Sequence, residues 1–294
     1  MRWRLLRLLL AAAVVGAGVL AVVSSGHPAR RVRPGRGAIG FGSFASAALH
    51  GTDHYSIYLP GGYAHSRRRY PVIYYLHGLP GWPRAYRSIG AVASAVRASG
   101  DGAIVVGAQG ARMGDRDPEW LDHGPGRDWE TATAVELVRT IDSRYRTIAT
   151  RAGRVLLGVS AGGYGATLIS SHHPSTYSVI ESWSGYFHPT NPDGTASLDL
   201  GSSDANDWAD FYKQIPDLSL RFGRWWTSTW FGFYVGTDDS RFRAENEQIY
   251  TRLRAARVPH VVFRLYQGGH DWSLWQRHAV DWVRAALRVA AKPT

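Results

Sequence analysis

The pentapeptide Gly158-Val159-Ser160-Ala161-Gly162 constrains this 294-residue chain more than any other feature. The apolar run Val155-Leu156-Leu157 precedes it and Gly163-Tyr164-Gly165-Ala166-Thr167-Leu168-Ile169 follows, so the stretch reads as a strand, a sharp turn at a serine, and a helix. A serine on such a turn has its Oγ raised above the sheet, and the residues two before and two after it come too close to neighbouring backbone to carry a side chain. Glycine at both positions meets that demand. The chain holds 33 glycines, so the pentapeptide gains its weight from its surroundings.

Those surroundings alternate between strand and helix patterns. His54 to Leu59 has period two and stops at Pro60-Gly61-Gly62, which predicts an antiparallel strand near a sheet edge. Pro71 to Leu76 and Ala103 to Val106 are continuous apolar runs, expected where a sheet is covered on both faces, with a helix from about Ser88 to Ala98 between them. Thr133 to Tyr145 carries Val135, Val138 and Ile141 at helical spacing. Further strands are expected at Ser178 to Ser182, Phe231 to Val235 and His260 to Tyr266, with helices around Ala244 to Ala256 and Ser273 to Ala291. Such alternation predicts an α/β architecture with a mostly parallel central sheet and helices on both faces. A length of 294 residues and 45% hydrophobic content suit one core, placed here at residues 37 to 294, with no large separate cap domain. A long Asp-, Ser- and Trp-rich insert spans about residues 186 to 230 and is expected to fold over the site.

The N-terminus bears on compartment. Arg2, Arg4 and Arg7 precede the uncharged run Leu8 to Val23, and the small residues Ser24-Ser25-Gly26 follow, so residues 1 to 26 read as an export signal or a membrane anchor. Counted from Leu5, the apolar stretch approaches the roughly 20 residues that span a bilayer, which keeps the anchor reading open beside cleavage. Residues 27 to 36 are a Pro-, Arg- and Gly-rich linker. The protein is therefore expected to be exported, and either secreted or held on the outer face of the membrane through its N-terminus. The net charge of +11 comes almost wholly from arginine, Lys213 and Lys292 being the only lysines. No stretch interleaves basic and aromatic residues as a nucleic-acid motif would, so no nucleic-acid partner is expected. With no cysteine there is neither a disulfide nor a thiolate metal site.

A nucleophilic serine needs a base, an acid and an oxyanion site. His270, in Gln267-Gly268-Gly269-His270-Asp271-Trp272, follows the last apolar strand and is the candidate base. The acid belongs after the preceding strand, where Gly236-Thr237-Asp238-Asp239 offers two aspartates. Asp239 is preferred and Asp238 is the alternative, because loop direction is not readable from sequence. One oxyanion N–H comes from Ala161, after the nucleophile, and the other from the loop His77-Gly78-Leu79-Pro80. Pro80 has no N–H, so Leu79 is the candidate donor and His77 shapes the loop. His172 and His173 read as structural. No histidine pair has metal-binding spacing, so neither a metal nor another cofactor is expected. The order Ser, acid, His on this architecture is that of the α/β-hydrolase fold.

Taken together, His77-Gly78, Glu119-Trp120-Leu121-Asp122, Asp128-Trp129-Glu130, Ile141-Asp142-Ser143-Arg144-Tyr145, the elbow at Gly158 to Ala166, His173-Pro174 and Gly268-Gly269-His270-Asp271-Trp272 with Trp275 resemble the esterase D and antigen 85 mycolyltransferase family over residues 50 to 285. The resemblance implies a triad of Ser160, Asp239 and His270 with Leu79 and Ala161 as oxyanion donors. It also implies hydrolysis of a small-molecule or lipid ester, or acyl transfer to a sugar acceptor. Trp129 and Glu130 in that pattern read as scaffold. Pro80-Gly81-Trp82-Pro83 lacks the polar residues of the mycolyltransferase branch, which weakens trehalose as acceptor. An exported serine carboxylesterase is the leading expectation, a cell-envelope acyltransferase the second, and a non-catalytic envelope-binding protein the third. Trp208, Trp225, Trp226 and Trp230 of the insert either line a cleft or pack the insert onto the core.

Overall fold

The first strand of the domain carries little of the apolar pattern. Ala38–Ser46 (β1) runs antiparallel to Gly51–Leu59 (β2), paired from Ala38 opposite Leu59 to Ser46 opposite Gly51. Gly42 makes room for an aromatic ring of β2: a Cβ there would stand 2.4 Å from the Tyr55 ring. Ile39 and Phe41 face outward, 45% and 56% exposed, so Phe44 is the one large apolar residue on the buried face of β1, too little for a period-two pattern to show. The computed structural model describes residues 37–115, 118–191, 196–221 and 223–294, so the export segment and the linker lie outside the described residues.

Six parallel strands continue the sheet: Val72–Leu76 (β3), Ile104–Ala108 (β4), Arg154–Val159 (β5), Val179–Trp183 (β6), Trp230–Gly236 (β7) and Val261–Tyr266 (β8). Their spatial order is β1-β2-β4-β3-β5-β6-β7-β8, with β2 antiparallel to β4 and every later pair parallel. The helices are Gly90–Ser99 (α1), Trp129–Thr131 (α2), Val138–Arg144 (α3), Ala161–His172 (α4), Ser203–Ala209 (α5), Phe211–Arg221 (α6), Gly223–Thr227 (α7), Arg243–Ala255 (α8) and Trp272–Val289 (α9). This is an α/β-hydrolase fold. Among the described residues no helix is long and apolar enough to cross a membrane.

Period two along the strands divides the core. Ile73, Tyr75, Val105 and Leu157 meet Val92 and Val96 of α1 and Val283 and Leu287 of α9. Tyr74, Leu76, Val106 and Leu156 meet Ile141, Ile169 and Leu253 on the opposite face. Each fully buried aliphatic side chain contributes about 1.5–3 kcal/mol, so the two layers hold the sheet rigid beneath its C-terminal edge.

The helix expected from Thr133 begins earlier, at Trp129, and passes through a π-helical turn, Ala132–Leu137, into α3. Glu130 explains the earlier start. It is 4% exposed, because its carboxylate accepts hydrogen bonds from the rings of His172 and His173, so a charged residue occupies an inward position. β6 carries a second buried acid, Glu181, between Val179 and Trp183 on the α1/α9 face. Burial pushes its carboxyl well above the usual range, while the Trp183 indole N–H donates to Oε2 at 3.0 Å.

Asp53 in β2 is a third buried acid, raised by burial from 3.8 to about 7 against a lowering hydrogen bond from the His54 amide. An acid whose folded value is raised keeps its proton longer in the native state, so stability is full below about pH 4 and falls as pH rises toward 7. Asp53→Asn, which never ionises, should escape a loss on the order of a few kcal/mol across that window. Urea denaturation at pH 5 and pH 8 measures it: the variant should gain on the wild type at the higher pH, and an equal difference at both would refute the assignment.

Candidate active site

The nucleophile candidate stands where β5 turns into α4. Ser160 has φ 53° and ψ −123°, a backbone conformation that non-glycine residues rarely adopt. It is held there from both sides: its N–H donates to the Trp183 carbonyl at 2.9 Å, and its carbonyl accepts from the Gly163 and Tyr164 amides at 2.8 and 3.1 Å. The flanking glycines are obligatory. A Cβ on Gly158 would lie 1.9 Å from the Gly162 carbonyl oxygen, and one on Gly162 would lie 2.0 Å from that of Leu76. Gly78 is nearly as close, since its Cβ would stand 2.9 Å from Cβ of Ser160.

The loop after β8 brings His270 to the serine. Gly268 adopts φ 141°, and its carbonyl lies where a Cβ on Gly236 would come within 2.1 Å, so the β7 and β8 loops close against one another. His270 Nε2 is 2.9 Å from Ser160 Oγ, and Nδ1 is 2.7 Å from Asp239 Oδ2. An ionised carboxylate only accepts, so Nδ1 carries the proton and Nε2 is left to accept from the serine hydroxyl. Asp239 Oδ1 in turn accepts from the Arg241 and Phe242 amides at 3.3 and 3.2 Å, which fixes the carboxylate. Asp239 is 2% exposed, whereas Asp238 lies on the surface and accepts from the Thr237 hydroxyl. The structure thus joins Ser160, Asp239 and His270 in one hydrogen-bonded chain and leaves Asp238 outside it.

Ala161 opens α4, so its N–H lies at the positive end of a 12-residue helix. Leu79 follows Gly78 beside the elbow and packs against the apolar cluster of Ala161, Tyr164, Tyr186 and Phe242. His77 is buried, with Nδ1 and Nε2 each 2.8 Å from the carbonyls of Gly78 and Gln109, and burial lowers its pKa. It ties the β3 and β4 loops together, away from the serine. Sequence reasoning did not single out Phe242 or Ser184. Phe242 touches the His270 ring at 5.1 Å, and Ser184 accepts from the indole of Trp275. Neither belongs to a spacing pattern that would announce it.

The insert separates its tryptophans by role. Trp226 is buried on Phe231 at 5.2 Å, Trp230 opens β7 beside Trp282, and Trp225 lies beneath the Arg151 guanidinium. All three join the insert to the core. Trp208 alone of the four lines a cavity of about 850 Å³, whose walls include Leu121, Asp122, Leu198, Asp199, Leu200 and Ala209. One face of its ring stacks on His172 at 3.8 Å, and it remains 54% exposed. The triad does not line this cavity, but Leu121, Leu200 and Ala209 belong to the apolar cluster that also contains Ala161 and Leu79.

A serine–histidine–aspartate chain on a strand-to-helix turn of this sheet defines the class, an α/β-hydrolase. The sequence profile of a family described as putative esterase matches residues 46–285, and the chain belongs to that family. This agrees with the resemblance to the esterase D and antigen 85 group. Esterase Rv1288 of Mycobacterium tuberculosis (strain ATCC 25618 / H37Rv) is 30% identical over 176 residues, which is 60% of this chain and 36% of that relative. The chain thus spans little more than a third of the length of the curated relative it matches. A ferulic acid esterase superposes with a TM-score of 0.73 at 22% identity, covering 87% of this chain and 99% of the other. MPT51 of Mycobacterium tuberculosis superposes with a TM-score of 0.64 at 15% identity, covering 86% and 99%. Both structural likenesses bear on the fold.

Proposed function

We propose that the protein is an exported serine carboxylesterase that works through an acyl-enzyme on Ser160. The observation that carries this reading is the unbroken chain from Asp239 through His270 to Ser160 Oγ, ending on a serine held in a strained turn. Ser160 Oγ attacks the ester carbonyl carbon while His270 Nε2 takes the hydroxyl proton. Negative charge gathers on the carbonyl oxygen, toward which the amides of Leu79 and Ala161 donate, the latter aided by the α4 dipole. The intermediate collapses as the ester C–O bond breaks, and His270 gives its proton to the departing alcohol. Water then enters, loses a proton to His270 and attacks the acyl carbon, and Ser160 leaves with that proton restored. Asp239 keeps Nδ1 protonated throughout and stabilises the imidazolium formed in each half.

The cavity beside Trp208 supports a substrate with an extended arm. His172, on which Trp208 stacks, ends α4 while Ala161 begins it, and eleven residues of helix rise about 17 Å. Only an ester that long spans both the serine and the Trp208 wall. Hydrolysis of p-nitrophenyl acetate, butyrate, octanoate and palmitate by the wild type and by Trp208→Ala tests this. KM for the palmitate should rise roughly tenfold in the variant, the value of one well-packed apolar contact, with the shorter esters unaffected. Equal KM changes across the series would remove Trp208 from the substrate path.

A second reading is acyl transfer to a hydroxylated acceptor, favoured by the polar groups Asp122, Thr190, Asn191 and Asp199 along the same cavity. Adding glycerol or trehalose to the ester series separates the two: acyl-glycerol or acyl-trehalose product supports transfer, and free acid alone supports hydrolysis. Export rests on the arginine-led apolar segment at residues 1 to 26. Immunoblots of cytosol, membrane and culture medium test it, and protein confined to cytosol would reject it.

A further inference from the structure

A hydrogen bond to Nδ1 fixes one end of the catalytic imidazole but leaves the ring able to tilt about that bond, carrying Nε2 off the serine. Asp239 therefore needs help. Two aromatic rings touch His270: Phe242 at 5.1 Å with an interplanar angle of 60°, and Trp275 at 5.2 Å and 88°. Phe242 is anchored to the triad itself, because its amide donates to Asp239 Oδ1. Trp275, 6% exposed on the first turn of α9, is anchored elsewhere: its indole N–H donates to the Ser184 hydroxyl at 3.0 Å.

Ser184 is fully buried and held at φ 50°, a left-handed conformation that serine adopts only when its surroundings impose it. Its amide donates to the Tyr234 carbonyl of β7 at 2.7 Å. The residue before it, Trp183, gives its carbonyl to the amide of Ser160 at 2.9 Å. The residue after it, Gly185, has its carbonyl bonded by the Asn246 side chain at 2.7 Å, and a Cβ there would lie 3.0 Å from the Gly163 backbone. Three consecutive residues at the end of β6 thus touch the elbow on one side and the histidine's supporting ring on the other.

We propose that Ser184 and Trp275 are positioning residues that hold the His270 imidazole on Ser160, with the β6 end as the common mount for nucleophile and base. The inference rests on the assignment of Ser160, Asp239 and His270 as the triad. A tilt that moves Nε2 by a fraction of an ångström lengthens the proton transfer in both half-reactions and leaves substrate binding alone. The effect belongs in kcat.

Trp275→Phe keeps a ring against His270 but removes the indole donor, and Ser184→Ala removes the acceptor. Each should lower kcat for p-nitrophenyl acetate roughly tenfold with KM within twofold, and slow fluorophosphonate labelling of Ser160 in parallel. Ser184→Ala also strands a buried N–H, so its folding is at risk. Trp275→Phe with Ser184→Ala has no stranded donor and keeps the test decisive. Because both act through one bond, the double variant should lose no more than the worse single. Wild-type kcat in Trp275→Phe and in the double variant would overturn the inference while leaving the triad standing. Full activity in Ser160→Ala would instead overturn the triad assignment beneath it.

Discussion

Ser160→Ala should lower kcat/KM for p-nitrophenyl acetate by about five to six orders of magnitude, to the residue of rate that oxyanion stabilisation and binding sustain without a nucleophile. The size follows from what is removed. Oγ is the atom of the side chain that takes part in the chain to His270 and Asp239, and among the described residues no other hydroxyl meets Nε2. The same change should leave the fold intact: the strained backbone is held by the Trp183 carbonyl and the Gly163 and Tyr164 amides, none of which involves the serine side chain. Melting temperature should accordingly stay close to that of the wild type, and fluorophosphonate labelling should vanish. A variant that kept more than about a hundredth of the activity would place the nucleophile elsewhere, since such a loss is far below what deleting an attacking group causes.

The parts of this site written in short local patterns were legible in the sequence. Gly158 and Gly162 flank Ser160 because the elbow closes on itself within five residues, so the pattern records the geometry directly. His270 was legible through its glycines and its place after the last strand. The choice between Asp239 and Asp238 was not, because it depends on how the β7 loop turns, and that turn is set by contacts with Tyr266 and Gly268 some thirty residues away. Long-range contacts hide the other misses too. β1 has no period-two apolar pattern to announce it, because at Gly42 the Tyr55 ring of β2 fills the place its own side chain would take. Glu130 interrupts an apolar helix face, and the hydrogen bonds it accepts from His172 and His173, some forty residues away, are what let it point inward. The four tryptophans of the insert are equivalent as letters. The stacking of Trp208 on His172, against the burial of Trp226 on Phe231, divides them into cavity wall and packing.

Asp239→Asn should cost about four orders of magnitude in kcat, while Asp238→Asn should change it less than twofold. The asymmetry is chemical rather than electrostatic alone. In the wild type, Oδ1 of Asp239 is committed to the Arg241 and Phe242 amides, and Oδ2 faces His270 Nδ1. An asparagine in the same place must keep its oxygen on the two backbone donors, because turning its NH2 toward them would strand buried N–H groups. The NH2 then faces Nδ1 and can only donate to it. That forces the proton onto Nε2, where it points at Ser160 Oγ and cannot receive the serine proton, so the variant is well folded and holds the wrong tautomer. Asp238 meets neither the imidazole nor a buried amide, and its carboxylate is spread over the surface beside Thr237. Steady-state kinetics of the two variants on one ester decide the matter. If Asp238→Asn carries the loss and Asp239→Asn does not, the buried carboxylate is a structural anchor for the β7 loop and the acid of the site lies on its surface.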